Sequence, residues 1–171
     1  MIKRAAPAFL LVLCLAACGG EEPARDGSSY SIRVEGDAQA TLVSPKDFGR
    51  FTLEKHSNAP VSYVLWFGSR ENNFVVTVIF NQPEPPESDS YPLTTALAKD
   101  KPVAGMVLDK RQKSRSFVTE AGAGTVEVAR SANNTYSGTF KFTATESRPG
   151  KPAGKVSVEG KFRDVPLRGL P

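Results

Sequence analysis

The two cysteines of the chain lie four positions apart in the stretch LVLCLAACGG, residues 11 to 20. A cysteine pair at short spacing could form a disulfide, hold part of a metal site, or offer a thiol for covalent modification. The chain carries a single histidine, so carboxylates would have to complete a zinc site. The chemistry of the two thiols therefore depends on the segment that contains them.

The first 17 residues have the three-part layout of a secretory signal. Lys3 and Arg4 make the start of the chain positive, residues 5–17 form an uncharged apolar run, and two alanines precede Cys18. A membrane-spanning helix needs about 20 apolar residues, and this run is shorter. We therefore expect residues 1–17 to be removed as a signal peptide.

The sequence LAAC at residues 15–18 resembles the lipobox of bacterial lipoproteins, in which the cysteine sulfur is acylated and the cysteine becomes the new N-terminus. The resemblance implies that Cys14 leaves with the signal peptide and that Cys18 attaches the chain to a membrane of the bacterial cell envelope. The pair is then neither a disulfide nor a metal site. Gly19 replaces the aspartate that favours inner-membrane retention in this family, which implies the outer membrane, on its periplasmic or its surface-exposed face. A conventional signal peptide with a chance cysteine is the alternative.

The charge balance argues against a nucleic-acid partner. The formal net charge is +4, and loss of Lys3 and Arg4 with the signal peptide leaves +2 from side chains. Domains that bind nucleic acid concentrate basic residues in a patch or stripe, and the sequence has no sustained basic stripe interleaved with aromatic residues. We therefore expect an unknown protein, lipid or envelope polymer as the partner, and no nucleic acid.

His56 is the one residue on which a catalytic site could be centred. It lies beside a turn in EKHSNAP, residues 54 to 60, and the sequence contains neither an H-x-x-x-H pair nor a G-x-S-x-G elbow. A surface histidine explains it better than a hydrolase does. We predict no catalytic residue, no metal site and no cofactor.

The densest positive charge lies in DKRQKSR, residues 109–115. Its four basic residues, on a predicted loop, could contact the phosphates of lipid headgroups or another anionic partner. A solvated loop explains the same charges. The four are Lys110, Arg111, Lys113 and Arg115.

An aromatic group between residues 63 and 80 could line an apolar cavity, as in barrels that hold a ligand. In that case the protein would be a carrier or sensor of a small apolar ligand. The alternative is that these rings fill the core, which is the commoner fate of large apolar side chains. The group comprises Tyr63, Trp66, Phe67, Phe74 and Phe80.

Composition divides the mature chain into a tether and one domain. Residues 18–29 contain the acylated cysteine and a linker rich in Gly, Ser, Pro and charge, and the domain covers residues 30–171. Within the domain, NQPEPPESDSYP at residues 81–92 contains four prolines and predicts a long exposed loop.

Apolar and polar residues alternate along most of the domain. Tyr30, Ile32 and Val34 alternate with polar residues in YSIRVEG, the period-two pattern of a half-buried strand. Residues 74–80 are apolar on both faces, which predicts a central strand. The fold prediction is all-β, a single antiparallel β-sandwich or barrel. The same alternation occurs in RFTLEK, GTVEVAR, SGTFKFTATE and KVSVEGKFRDV.

The C-terminal half carries SYPL, GAGTVEVAR, NNTYSGTFKFTA and VSVEGKFRDVPL in that order. This order resembles a group of β-rich bacterial lipoproteins of unknown function, which implies a fold and no reaction. Gly138 and Gly160 stand where a strand needs a bulge or a close backbone approach. The expected function is a non-catalytic cell-envelope lipoprotein that acts as a binding or interaction module.

The lipobox predicts the outcome of fatty-acid labelling in cells. We expect label on the wild-type chain and on Cys14→Ser, because Cys14 leaves with the signal peptide. Cys18→Ser should be unlabelled and released in soluble form. A wild-type mature protein that carries no lipid and begins elsewhere would contradict the lipobox assignment.

Overall fold

The structure, a computed structural model, describes residues 27–44, 48–54, 61–69, 73–95, 103–111, 114–147 and 153–169. Within these ranges the chain forms eleven strands and no helix, which confirms the all-β prediction. In this part of the chain no helix is long and apolar enough to cross a membrane. The strands are β1 (Ser29–Gly36), β2 (Ala40–Val43), β3 (Phe48–Glu54), β4 (Ser62–Ser69), β5 (Phe74–Phe80), β6 (Asp89–Pro92), β7 (Val103–Asp109), β8 (Arg115–Val118), β9 (Gly124–Arg130), β10 (Thr135–Glu146) and β11 (Lys155–Arg168).

The strands pair in the order β2-β1-β11-β3-β4-β5-β7-β8-β10-β9-β6, and β10 also pairs with β11. They divide into a first sheet, β6-β9-β10-β11-β1-β2, and a second sheet, β3-β4-β5-β7-β8. Because β11 also pairs with β3 and β10 also pairs with β8, hydrogen bonding continues around two corners. The architecture therefore combines the two sheets of a sandwich with the closed ladder of a barrel.

The two corners lie at opposite ends of the β10–β11 hairpin. At one end, the last two residues of β11 pair with Phe51 and Thr52 of β3 in parallel. At the other end, Glu146 of β10 pairs with Phe117 of β8. The parallel pair differs from the predicted antiparallel sheet, because the direction of β3 is set by its antiparallel pairing with β4.

The predicted inward faces form the core. Tyr30, Ile32 and Val34 are 1–2% exposed, and the inward residues of β9, β10 and β11 are buried as well. Aromatic rings from the two sheets meet in the interior: the centroid of Phe51 lies 4.6 Å from that of Tyr136, in edge-to-face geometry. Such pairs add to the stabilisation from burial.

The central-strand prediction for residues 74–80 is confirmed. β5 lies between β4 and β7 in the second sheet. Its inward residues, Phe74, Val76, Val78 and Phe80, are fully buried. On the outer face Thr77 is buried as well, and the two other outward residues of β5, Val75 and Ile79, are half-buried.

Gly138 and Gly160, on the hairpin strands β10 and β11, lie at a bulge and at a close approach to the backbone, as predicted. The register between β10 and β11 shifts between Tyr136 and Gly138, where a bulge lies. Gly160 pairs with Phe140, whose ring lies over it so closely that a Cβ atom at residue 160 would collide with the ring. A glycine is therefore required for this packing.

The proline-rich segment is more ordered than the sequence predicts. Its last four residues form β6, which pairs with β9 at the edge of the first sheet. Pro92 fits there because an edge strand needs hydrogen bonds on one side only. The Tyr91 hydroxyl donates to the carbonyl of Glu87 at 3.0 Å, which holds the preceding residues against the sheet.

Gly160→Ala should destabilise the domain by about 1 to 3 kcal/mol, because the new methyl group must displace the Phe140 ring. The measurement is urea unfolding followed by circular dichroism. The matched control is Ser157→Ala, which is exposed on the same strand and should change stability by no more than about 0.5 kcal/mol. Equal stability of the two variants would contradict the packing argument.

Candidate functional site

The structure divides the aromatic group between the two faces of the second sheet. Tyr63, Phe67, Phe74 and Phe80 point inward and are at most 3% exposed. Trp66 lies on the outer face of β4 and is half-buried. The five side chains therefore do not surround one space.

The outward position of Trp66 is fixed by polar neighbours on β3. Its indole Nε1 donates to Oε1 of Glu54 at 2.7 Å. The Arg50 guanidinium lies 5.2 Å from the ring centroid, a cation–π arrangement. These contacts hold the indole on the outer surface of the sheet.

Three of the four inward rings, Tyr63, Phe67 and Phe80, pack against other rings. The ring centroid of Phe51 lies 6.1 Å from that of Tyr63 and 5.9 Å from that of Phe80. Phe67 lies 5.3 Å from Tyr30. Contacts of this kind are typical of a filled core. Binding of a small apolar ligand stays a prediction.

Arg111 of the predicted basic loop is paired with Asp109. Its Nε and Nη2 atoms donate to the two carboxylate oxygens, each at 2.9 Å, and Nη2 also donates to the Gln39 carbonyl at 3.0 Å. The hydrogen bonds from Arg111 are the main reason that the pKa of Asp109 is lowered, against the opposing effect of its burial. The guanidinium also lies 4.9 Å from the ring centroid of Phe74.

Arg115 joins three parts of the fold. It donates to both carboxylate oxygens of Glu146, at 3.1 and 2.8 Å, and to the Asp37 carbonyl at 2.6 Å. The side chain of Glu146 is 5% exposed, so this bidentate pair neutralises a buried charge. Its guanidinium lies 4.9 Å from the ring centroid of Phe117. Both arginines therefore connect the second sheet to the turn after β1, and Arg115 also joins β8 to β10 at the corner between the sheets.

The remaining predicted residues are placed as follows. Lys110 is exposed directly after β7. Lys113, Cys18 and His56 lie outside the described residues. Contact of the basic loop with an anionic partner, acylation of Cys18 and the role of His56 therefore stay predictions.

A groove crosses the outer face of the first sheet. It consists of two adjoining depressions of about 550 Å³ and 430 Å³ that share Thr139 and Lys161. Its floor is low because the outward hydroxyl side chains of serines and threonines are shorter than the charged side chains around them. We call this feature the sheet groove; it is lined by Ser29, Tyr30, Ser31, Arg33, Thr125, Glu127, Ser137, Gly138, Thr139, Phe140, Lys141, Glu159, Gly160, Lys161, Phe162 and Arg163.

The antiparallel registers set the charge pattern of the groove. One cross-strand row runs from Arg33 through Glu159 and Lys141 to a threonine of β9. In that row Lys141 Nζ lies 3.9 Å from Oε2 of Glu159, with both side chains more than 70% exposed. An exposed pair of this kind contributes little stability, so its charges are available to a ligand at small cost.

The adjacent row is ordered differently, from Ser31 through Lys161 and Thr139 to Glu127. Thr139 Oγ1 donates to Oε2 of Glu127 at 3.3 Å. Arg33 pairs with Glu35 along its own strand. Among the described residues, Lys161 and the neighbouring Arg163 are without an acidic partner.

Sequence reasoning assigned these side chains to the solvent face of their strands and did not recognise a site. The alternation of KVSVEGKFRDV shows that Lys161 and Arg163 point outward. It does not show that β1 and β10 lie on either side of β11. Only strand adjacency brings the hydroxyls of Ser29 and Thr139 beside these cations.

The groove is equipped for binding by charge and hydrogen bonds. Among the described residues, no three His, Cys, Asp or Glu side chains come together as a metal-binding group. The chain matches no protein-family model, no curated protein and no solved structure.

The Asp109–Arg111 pair predicts a change of stability with pH. The pKa of Asp109 is lower in the folded chain than the value of about 3.9 of an unfolded chain. Its contribution to stability is therefore present above about pH 4 and is lost as the pH falls through the lower folded-state pKa. Urea unfolding should show that Asp109→Asn is less stable than wild type at pH 7. The difference should shrink below about pH 4.

The control for this prediction is Glu35→Gln, which removes an exposed carboxylate on the outer face of β1. At pH 7 its stability should differ from that of wild type by no more than about 0.5 kcal/mol. A difference between Asp109→Asn and wild type that is constant from pH 7 to about pH 3 would contradict a contribution from the ionised carboxylate.

Proposed function

We propose that the chain is a non-catalytic lipoprotein of the bacterial cell envelope, anchored by acyl chains on Cys18 at the outer membrane. It uses the sheet groove to bind a polar, charged component of the envelope. The observation that carries this proposal is the groove itself, an open surface lined by charged and hydroxyl side chains on a domain whose interior is packed with aromatic rings.

The position of the groove relative to the anchor supports the proposal. β1 begins at Ser29, which lines one end of the groove. The segment from Cys18 to Ser29 can span at most about 40 Å when fully extended. A groove that begins where this segment ends stays close to the membrane surface and to the polymers attached to it.

The lining chemistry favours an extended, charged ligand that also forms hydrogen bonds. Hydroxyl groups of Ser31, Thr125 and Thr139 lie among three cationic and two acidic side chains across four strands. Arg33 and Lys141 offer several donors each, and the hydroxyls can both donate and accept. Envelope polysaccharides with acidic or phosphorylated sugars present complementary groups.

Binding can be tested with the chain of residues 18–171 carrying Cys18→Ser, so that no anchor is needed. The probes are purified soluble cell-wall glycan and purified lipopolysaccharide, and the measurement is isothermal titration calorimetry. Thr139→Tyr fills the middle of the groove and should weaken binding by about tenfold or more, equivalent to roughly 1.4 kcal/mol.

The matched control is Ser157→Tyr, which adds the same ring to the same outer face but outside the groove. Its affinity should stay within about twofold of wild type, since it leaves the groove open. Failure of both polymers to bind, or equal binding by the two variants, would overturn the proposal. Saturable fatty-acid binding that Phe80→Ala weakens would favour the apolar carrier instead.

A further inference from the structure

The end of the sheet groove nearest the start of β1 differs in charge from the rest. This depression of about 430 Å³ contains the paired positions Ser29 and Arg163 and the paired positions Thr139 and Lys161. Ser137, at the bulge of β10, completes its polar lining. β1 and β10 therefore contribute hydroxyls around two cations of β11.

Lys161 and Arg163 are successive outward residues of β11, which places them about 7 Å apart along the strand. Two like charges at that spacing repel each other, and an anion between them removes the repulsion. Within the described residues, Glu127 accepts a hydrogen bond from Thr139, and Glu159 lies 3.9 Å from Lys141. The next acidic residue, Asp164, forms no ion pair with either cation.

The Ser137 hydroxyl of the depression is oriented by the backbone. Ser137 Oγ accepts the backbone N–H of Asp164 at 3.0 Å, in a turn where Asp164 has a φ of 53°. Its own hydrogen therefore remains to be donated. A guanidinium, an ammonium and several hydroxyls together supply more donors than a carboxylate accepts, and they match the oxygens of a phosphate group.

We propose that this depression binds the phosphate of an anionic lipid headgroup. Ser29 follows directly on the segment that leads from Cys18, so a lipid anchor would bring headgroups to this end of the groove first. That the phosphate belongs to a membrane lipid rests on the proposed function. That the ligand is a phosphate rests only on the side chains of the depression. The site takes the role that the sequence suggested for the loop around Arg111 and Arg115, whose guanidinium groups are already paired.

The test uses the chain of residues 18–171 with Cys18→Ser, which can reach a vesicle only through its own surface. The probes are vesicles of phosphatidylcholine with and without phosphatidylglycerol, and separately inorganic phosphate. Co-sedimentation measures vesicle binding, and amide chemical shifts of β11 measure phosphate binding. Wild type should bind the anionic vesicles and not the neutral ones.

Lys161→Gln/Arg163→Gln should weaken binding to anionic vesicles by about thirtyfold, the loss expected for two basic residues close to an anionic membrane. The matched control, Arg50→Gln/Lys155→Gln, removes the same charge from exposed positions outside the groove and should lose no more than about threefold, since those cations do not line the depression. Circular dichroism verifies that both variants are folded.

Equal losses in the two double variants would show attraction by general surface charge and would overturn the site. Shifts with inorganic phosphate but no binding to anionic vesicles would assign the site to a soluble phosphate and overturn the lipid. Because this chain has no anchor, failure of Cys18 acylation in cells leaves these results unchanged. Failure of the polymer titration likewise leaves them unchanged, so each proposal fails separately.

Discussion

Ten residue pairs join β10 to β11, and every other part of the fold depends on this hairpin. The outer edge of β10 pairs first with β9 and then with β8, while the outer edge of β11 pairs first with β1 and then with β3. Each strand thereby belongs to the first sheet along most of its length and reaches the second sheet at one end. Separation of the two strands would open both corners and expose the aromatic core between the sheets.

The contact of Phe140 with Gly160 connects this hairpin to the core and to the groove. Because Gly160 lacks a side chain, the Phe140 ring can lie over the neighbouring backbone and reach Phe67 of the second sheet, 5.8 Å away between centroids. The same two residues form part of the floor of the sheet groove.

The arginines fall into two groups with different tasks. Arg111 and Arg115 neutralise Asp109 and Glu146, whose side chains are nearly inaccessible and would be costly to leave unpaired. Their charge is used within the fold. Lys161 and Arg163, the outward cations of β11, have no buried carboxylate to neutralise, because this face of the strand is exposed to solvent. The nearby glutamates contact other groups. A dense run of basic residues in a sequence is thus a weaker indicator of a binding surface than unpaired charge on a defined sheet face.

The sequence alone determined which residues face the core. Period-two alternation placed Tyr30, Ile32 and Val34 inside because side chains of a strand alternate between its faces whatever its neighbours are. The apolar residues on both faces of β5 likewise predicted a central strand. Tertiary structure decided strand adjacency, the parallel pairing of β11 with β3, the strand within the proline-rich segment, and the outward position of Trp66. It also created the groove, since Ser29 and Arg163 come from opposite ends of the domain and meet only through long-range pairing. Local pattern carries no information about such a partner, because the hydrogen bonds that select it form between backbones that are alike in every strand.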